Sequence, residues 1–89
     1  MMATLFDLGH VVATPAILSK LDRHDINQLL GRHATGDWGD LGVSDRAAND
    51  YAVERALRIF SAYGTLAEKV WIITEADRSS TCILLPEDY

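Results

Sequence analysis

Three short segments in the second half of the chain favour β-strands, and they restrict the fold more than any other feature. These segments are "RIFSAYG", "VWIITEA" and "STCILLP", which are rich in β-branched and aromatic residues. The stretches between them, "GTLAEK" and "DRSS", have the composition of turns. The pattern predicts a three-stranded antiparallel meander with the unbroken apolar run Val70–Ile73 in its central strand. The "HVV" run at residues 10–12 is a candidate fourth strand at an edge.

The first half of the chain places its apolar residues at helical spacing instead. Thr14 and Pro15 suit the start of a helix over residues 15–21. Asp25, with a glutamine three residues later, predicts the start of a second helix that runs to His33, and Ser44 is the expected cap of a third. The residues expected to face inward are Ile17, Leu18, Leu21, Ile26, Leu29, Leu30, His33, Ala47 or Ala48, Tyr51 and Ala52.

These elements predict an α+β protein. Short N-terminal helices are expected to pack on one face of a three- to four-stranded antiparallel sheet. With 89 residues, the chain is expected to form one small domain over residues 1–89.

Composition restricts the function. The lone Cys82 excludes an internal disulfide, and no basic segment precedes a long apolar run, so the sequence predicts a cytoplasmic protein with neither signal peptide nor membrane span. A net charge of -5 disfavours direct nucleic-acid binding, because that binding draws on lysine and arginine contacts with phosphates. A nucleic-acid site would require arginines 23, 32, 46, 55, 58 and 78 to gather on one face.

The stretch "TGDWGDLGVSD" places Trp38 between two Gly-Asp pairs. In one interpretation, Trp38 fills a gap between the second helix and the sheet while Asp37 and Asp40 accept backbone hydrogen bonds in Asx-turns. In the other, Trp38 is exposed and the flanking acids complete a hot spot for a protein partner. Two carboxylates without a spaced third ligand are a weak metal signal, so no metal or other cofactor is predicted.

An enzymatic alternative centres on His33, Asp37 and Asp40, as a minimal hydrolase or metal-dependent enzyme. His33 ends the second predicted helix beside the tryptophan loop, where it could bond a loop carboxylate. However, no serine lies in a Gly-x-Ser-x-Gly turn, and Cys82 falls within a predicted strand. No catalytic residue is therefore assigned.

The predicted hairpin tip "TEADRSST" carries Glu75, Asp77 and Arg78. In one interpretation these residues form a solvated turn in which Arg78 pairs with a nearby acid. In the other, the rigid hairpin positions Arg78 to bind a carboxylate or phosphate through two hydrogen bonds. The aromatic residues Phe60, Tyr63 and Trp71 could form a base-stacking sheet face. Since lysine and arginine do not alternate with them, core packing is the favoured interpretation.

Three stretches carry a family resemblance: "ATP" near the start, "HATGDWGDL" in the middle and "WIITEADRSSTCILLPEDY" at the end. They resemble a family of short bacterial plasmid-related proteins with no assigned activity, some of which carry the label of a type I restriction endonuclease subunit M. A methyltransferase subunit needs a cofactor-binding domain and an Asn/Asp-Pro-Pro-aromatic motif, and this sequence contains no Pro-Pro. The resemblance implies a protein carried by mobile elements that binds a host or competitor protein, and it supplies no catalytic residues.

The expected function is therefore that of a small acidic, non-catalytic protein-binding module. Its partner would be a host or competitor protein, and the module would inhibit or modulate a nucleic-acid-processing or defence complex. A homodimer is compatible with the sequence. The residues predicted to contact the partner are Trp38, Asp37, Asp40, Arg78, Glu75 and Asp77.

Overall fold

The computed structural model describes residues 3–64 and 69–89, which form three α-helices, four strands and a 3-10 turn. Most of the predicted turn "GTLAEK" lies outside these residues. No helix within the described ranges is both long and apolar enough to cross a bilayer. In chain order the elements are β1 (His10–Ala13), α1 (Pro15–Lys20), α2 (Arg23–Ala34), α3 (Val43–Arg55), β2 (Ile59–Gly64), β3 (Lys69–Thr74), β4 (Ser80–Leu84) and the 3-10 turn (Pro86–Asp88).

The α+β class and the meander are confirmed. The strand order is β1-β4-β3-β2, with β3 inside the sheet and antiparallel to both β2 and β4. β1 occupies the predicted edge position, but it runs parallel to β4, so the sheet is mixed and the expectation of a wholly antiparallel sheet was wrong for this strand. Because three helices and two strands separate β1 from β4, no hairpin fixes its direction.

Two helices begin earlier than the sequence predicts. Asp22 caps α2, accepting a hydrogen bond from the Asp25 backbone N–H at 2.9 Å, so the predicted start at Asp25 was wrong by one turn. α3 begins at Val43, after Gly42 rather than at a Ser44 cap. Both starts offer several acceptable residues, and local pattern alone does not choose between them.

The start of α1 follows the prediction. Thr14 Oγ1 accepts from the Ile17 N–H and Pro15 occupies the first turn. Ile17 is buried, whereas Leu18 is 62% exposed and does not belong to the inward face. On α3, Tyr51 is likewise exposed, and Asn49 and Ala52 are the residues that turn inward.

All three helices cover the same face of the sheet. α1 and α2 contribute Ile17 and Leu29 to a core cluster, and α3 contributes Ala52 to a second cluster that includes Trp38. The strand residues of both clusters share one face by alternation and register: Ile59, Tyr63, Val70, Ile72 and Ile83. The alternate strand residues consequently point to the face that carries no helix.

Candidate functional site

Trp38 is an anchor and is not exposed. Its side chain is 4% exposed, and its indole N–H donates to Asp50 Oδ1 at 3.0 Å. The ring lies 6.2 Å from the Phe6 ring and 6.0 Å from the His33 ring, measured between centroids. Trp38 is buried, as the packing interpretation expects, but its core cluster joins Ala52 of α3 and Ile59 of β2 instead of filling a gap beside α2 alone. Trp38 is too deeply covered to serve as the exposed hot spot of the alternative.

The two aspartates beside Trp38 hold the loop in place. Asp37 accepts from Arg32 Nε at 2.7 Å and from the Gly39 N–H at 3.2 Å, the predicted Asx-turn. The bond to Arg32, with a smaller contribution from the Gly39 N–H, holds the pKa of Asp37 below its usual value. Asp40 accepts from the Gly64 N–H at 2.7 Å. These carboxylates bind protein groups and do not converge on a common point with His33.

The tryptophan loop also closes one edge of the sheet. The Ala62 N–H donates to the Trp38 carbonyl at 3.3 Å, and the Asp40 N–H donates to the Ala62 carbonyl at 2.7 Å. One step along β2, the Asn49 amide donates to the Phe60 carbonyl at 2.6 Å and accepts from the Phe60 N–H at 3.2 Å. The outer edge of β2 is thereby paired by a loop and a side chain.

Arg78 connects the β3–β4 hairpin to the end of α3. Its Nη2 donates to the Ala52 carbonyl at 3.0 Å and its Nη1 to the Leu57 carbonyl at 2.6 Å. Nη1 also donates to the carbonyls of Glu75 and Ala76 at 3.1 and 3.3 Å. The guanidinium is committed to backbone acceptors, so the predicted pairing of Arg78 with an acid was wrong and its bidentate use on an external anion has no support.

The other two hairpin residues differ in their surroundings. Asp77 is exposed and accepts from the Ser79 N–H at 3.0 Å, as expected of a solvated turn. Glu75 forms an ion pair with Arg58 Nη2 at 3.5 Å. Glu75 therefore lies beside the sheet face that carries no helix, where Arg58 is also located.

His33 belongs to a buried hydrogen-bond chain that sequence reasoning missed. Its Nδ1 lies 2.5 Å from Ser61 Oγ and its Nε2 lies 2.8 Å from Thr74 Oγ1. Thr74 Oγ1 is 2.7 Å from Thr81 Oγ1, which donates to the Leu8 carbonyl at 2.7 Å. Since the Thr81 proton is used on a carbonyl, Thr74 must donate to Thr81 and accept from Nε2–H. Since the pKa of His33 is lowered to about 4 by burial, the imidazole is neutral at pH 7, and Ser61 then donates to Nδ1.

The Ser61–His33 pair has the composition of a nucleophile and a base but not the access. Both side chains are 0% exposed. Burial, with a smaller contribution from the charge of Arg78, lowers the pKa of His33 to about 4, which makes the imidazole a weak base. Within residues 3–64 and 69–89, no three histidine, cysteine or acidic side chains are placed to share a metal ion. Within the described residues, His33, Asp37 and Asp40 therefore do not form the shared site on which the enzymatic alternative is centred.

The face of the sheet without helices carries two of the aromatic residues for which the sequence favoured core packing over a sheet face. Phe60 and Trp71 project from β2 and β3 with ring centroids 5.0 Å apart, and Tyr89 meets Trp71 at 5.9 Å. Tyr63, which the sequence grouped with Phe60 and Trp71, lies on the opposite, helix-covered face. The available signal was strand alternation: odd and even positions of these strands are both apolar, although helices cover only one face.

This aromatic face has a charged rim. Arg58 Nη1 donates to the Tyr89 hydroxyl at 3.0 Å, and its guanidinium lies 5.7 Å from the Tyr89 ring centroid. A shallow depression of about 200 Å³ is lined by Arg58, Phe60, Trp71, Ile73 and Tyr89. We call this set, with Glu75 at its border, the aromatic face.

Comparison of the chain with known protein families, with characterised proteins and with solved structures finds no match.

Proposed function

We propose that this protein is a non-catalytic protein-binding module that docks through its aromatic face. The observation that carries the proposal is the one-sided placement of the helices, which leaves Phe60 and Trp71 half-buried and Tyr89 exposed on the face without helices. Apolar patches with polar rims are typical of sites for other macromolecules, and tryptophan and tyrosine contribute a large share of binding energy there. Trp38 and Arg78 support this surface from within the fold.

The rim and the net charge bear on the kind of partner. Arg58 and Glu75 offer one charge of each sign beside the rings, which suits a protein surface of mixed polarity. The whole chain carries a net charge of -5, so a partner with a basic groove would associate faster at low salt. Together with the resemblance to plasmid-related proteins, this supports an inhibitor or modulator of a host or competitor nucleic-acid-processing or defence complex.

Two tyrosines provide a matched test of this proposal. Tyr89 belongs to the aromatic face and is 69% exposed, while Tyr51 lies on α3 and is 53% exposed. The unmodified protein, Tyr89→Ala, Trp71→Ala and Tyr51→Ala are each immobilised and exposed to host lysate, and retained proteins are quantified by mass spectrometry. We expect a partner that Tyr51→Ala retains and that Tyr89→Ala and Trp71→Ala bind about tenfold more weakly or worse. Equal retention by all four proteins would contradict the proposal.

Nucleic acid is the competing ligand for an aromatic sheet face, because stacked rings with a nearby arginine can hold single-stranded bases. The acidic charge opposes it, and of the other arginines Arg32 is paired with Asp37 and Arg78 with carbonyls. Titration with a single-stranded oligonucleotide at low salt should leave tryptophan fluorescence unchanged. Saturable quenching that Trp71→Phe abolishes would favour nucleic-acid binding over the protein partner.

A further inference from the structure

The two edges of the sheet are treated differently. The edge of β2 is closed by Asn49 and the tryptophan loop, whereas no described strand pairs with the outer edge of β1. The His10 and Thr14 N–H groups donate to Ser79 and Ile83 of the β4 side at 2.9 and 3.0 Å. Because backbone groups alternate along a strand, those of Val11 and Ala13 point outward.

The side chains of β1 give this edge none of the usual protection. Edge strands are commonly blunted by lysine, proline or a bulge, but the interior of β1 consists of Val11 and Val12, both partly exposed. Val12 lies in register with Cys82 and therefore points to the uncovered face, while Val11 points to the helix side. At this edge, an apolar side chain of β1 therefore lies on each face of the sheet.

An open groove continues the edge on the helix side. It has a volume of about 670 Å³, and its apolar lining comes from β1, α1, α2, Leu21 between the two helices and Ile83 of β4. Leu18, which is exposed on α1, lies along this groove. The charged lining residues are Asp22 and Arg23, whose charges cancel. The groove is therefore apolar and locally neutral although the chain as a whole is acidic.

We propose that a second copy of this chain occupies the edge, through antiparallel pairing of the two β1 strands about a twofold axis. The N–H and carbonyl groups that point outward at alternate residues can form hydrogen bonds with the main chain of another extended strand. The β1 strand of a second copy has the same short length as the first and places the same apolar residues on the two faces of the sheet. The pairing joins two four-stranded sheets into one and brings the two grooves, each with its Leu18, to the same side of the joined sheet.

Local neutrality favours a second copy over a charged foreign strand. The two grooves do not repel each other, because the charges within each groove cancel. The net charge of -5 on each copy makes the two molecules repel at longer range. Screening reduces that repulsion, so dimerisation should strengthen as salt rises. Binding of a basic partner at the aromatic face should weaken over the same range, which separates the two interactions.

Sedimentation equilibrium with two matched variants tests the dimer. Val11→Lys places a charge at the proposed interface, and Val43→Lys places the same charge at the exposed start of α3. We expect the wild type and Val43→Lys to shift from 9.8 kDa toward twice that mass with increasing concentration. We expect Val11→Lys to dimerise about tenfold more weakly or worse. Thermal unfolding of both variants shows whether the fold is retained.

Amide hydrogen exchange on the unmodified protein provides an independent measurement. Exchange at Val11 and Ala13 should slow as concentration rises, while their neighbours in the β1–β4 ladder change little. A monomer at all concentrations, or a dimer that leaves these two amides unprotected, would overturn the proposal. A dimer that Trp71→Ala disrupts and Val11→Lys does not would also overturn it and place the second copy on the aromatic face. A monomer that captures a foreign partner through the aromatic face refutes only the dimer.

Discussion

His33 shows how a single residue can be polar, buried and structurally satisfied. Both ring nitrogens contact hydroxyls, and within residues 3–64 and 69–89 every buried side-chain nitrogen or oxygen has a hydrogen-bond partner. A neutral imidazole suits this chain, because one nitrogen accepts and the other donates. Protonation would place two donors there and a charge in the core.

The stability of the protein should therefore fall in mild acid. The folded-state pKa of His33 is about 4, below the usual 6.5, so the unfolded chain takes up a proton that the folded protein does not. The neutral His33 contributes about 3 kcal/mol to the free energy of unfolding above pH 6.5, and this contribution is lost as the pH falls from 6.5 to 4. Urea unfolding at a series of pH values measures it. His33→Gln should remove this dependence and His24→Gln, on the exposed surface, should keep it; an unchanged slope in His33→Gln would contradict the assignment.

Arg78 should matter to stability far more than an ordinary surface arginine. Arg78→Ala leaves the Leu57 carbonyl without its donor and removes one of the donors to the Ala52 carbonyl, which keeps the backbone N–H groups of Ala56 and Leu57, at an expected cost of about 1 to 2 kcal/mol. Arg55→Ala, which removes an exposed guanidinium stacked on Tyr51, should cost about 0.5 kcal/mol or less. Urea denaturation of the two variants decides the matter. Equal midpoints would mean that the Arg78 contacts contribute nothing to folding.

At the scale of elements, the tryptophan loop acts as an extra strand along β2. The loop can approach so closely because Gly39 has a positive φ of 78° and no side chain. A Cβ at this position would lie 2.1 Å from the Ala62 carbonyl oxygen. The loop and the edge of β2 are therefore held together by a position that only glycine fits.

Alanine substitutions at two glycines distinguish the loss of the close contact between the loop and β2 from the general effect of replacing a glycine by alanine. Gly39→Ala should lower the free energy of unfolding by about 2 kcal/mol or more, because the loop must move away from β2. At Gly42 an added Cβ meets nothing within 4 Å, so Gly42→Ala should change stability by about 1 kcal/mol or less. Thermal unfolding compares them. A Gly39→Ala protein as stable as Gly42→Ala would show that the loop is not fixed by this contact.

The sequence predicts those elements whose signals are local. The meander follows from β-branched segments between turns, and the Trp38 loop follows from glycine and aspartate beside one large ring. The direction of β1 does not follow, because it depends on bonds from His10 and Thr14 to residues near the other end of the chain. The same reason hides the Ser61–His33 pair and the Arg78–Ala52 contact, which join residues 28 and 26 positions apart.

At the scale of the whole molecule, the polar residues that the sequence singled out and the proposed binding surface lie mostly in different places. The acids and the arginine that the sequence singled out mostly hold loops and helix ends, whereas the aromatic face lies on the side of the sheet that no helix covers. Glu75 alone of the predicted contact residues borders that face, through its ion pair with Arg58. The proposed activity is accordingly binding without chemistry.

The two tryptophans allow the most direct measurement of this claim, because one lies on the aromatic face and the other lies in the core. The indole N–H resonances of Trp71 and Trp38 are followed by NMR while the partner captured from lysate is added to the labelled protein. We expect the Trp71 resonance to shift or broaden on binding and the Trp38 resonance, whose N–H donates to Asp50, to stay in place. A partner that perturbs Trp38 and its loop while leaving Trp71 unchanged would contradict the claim.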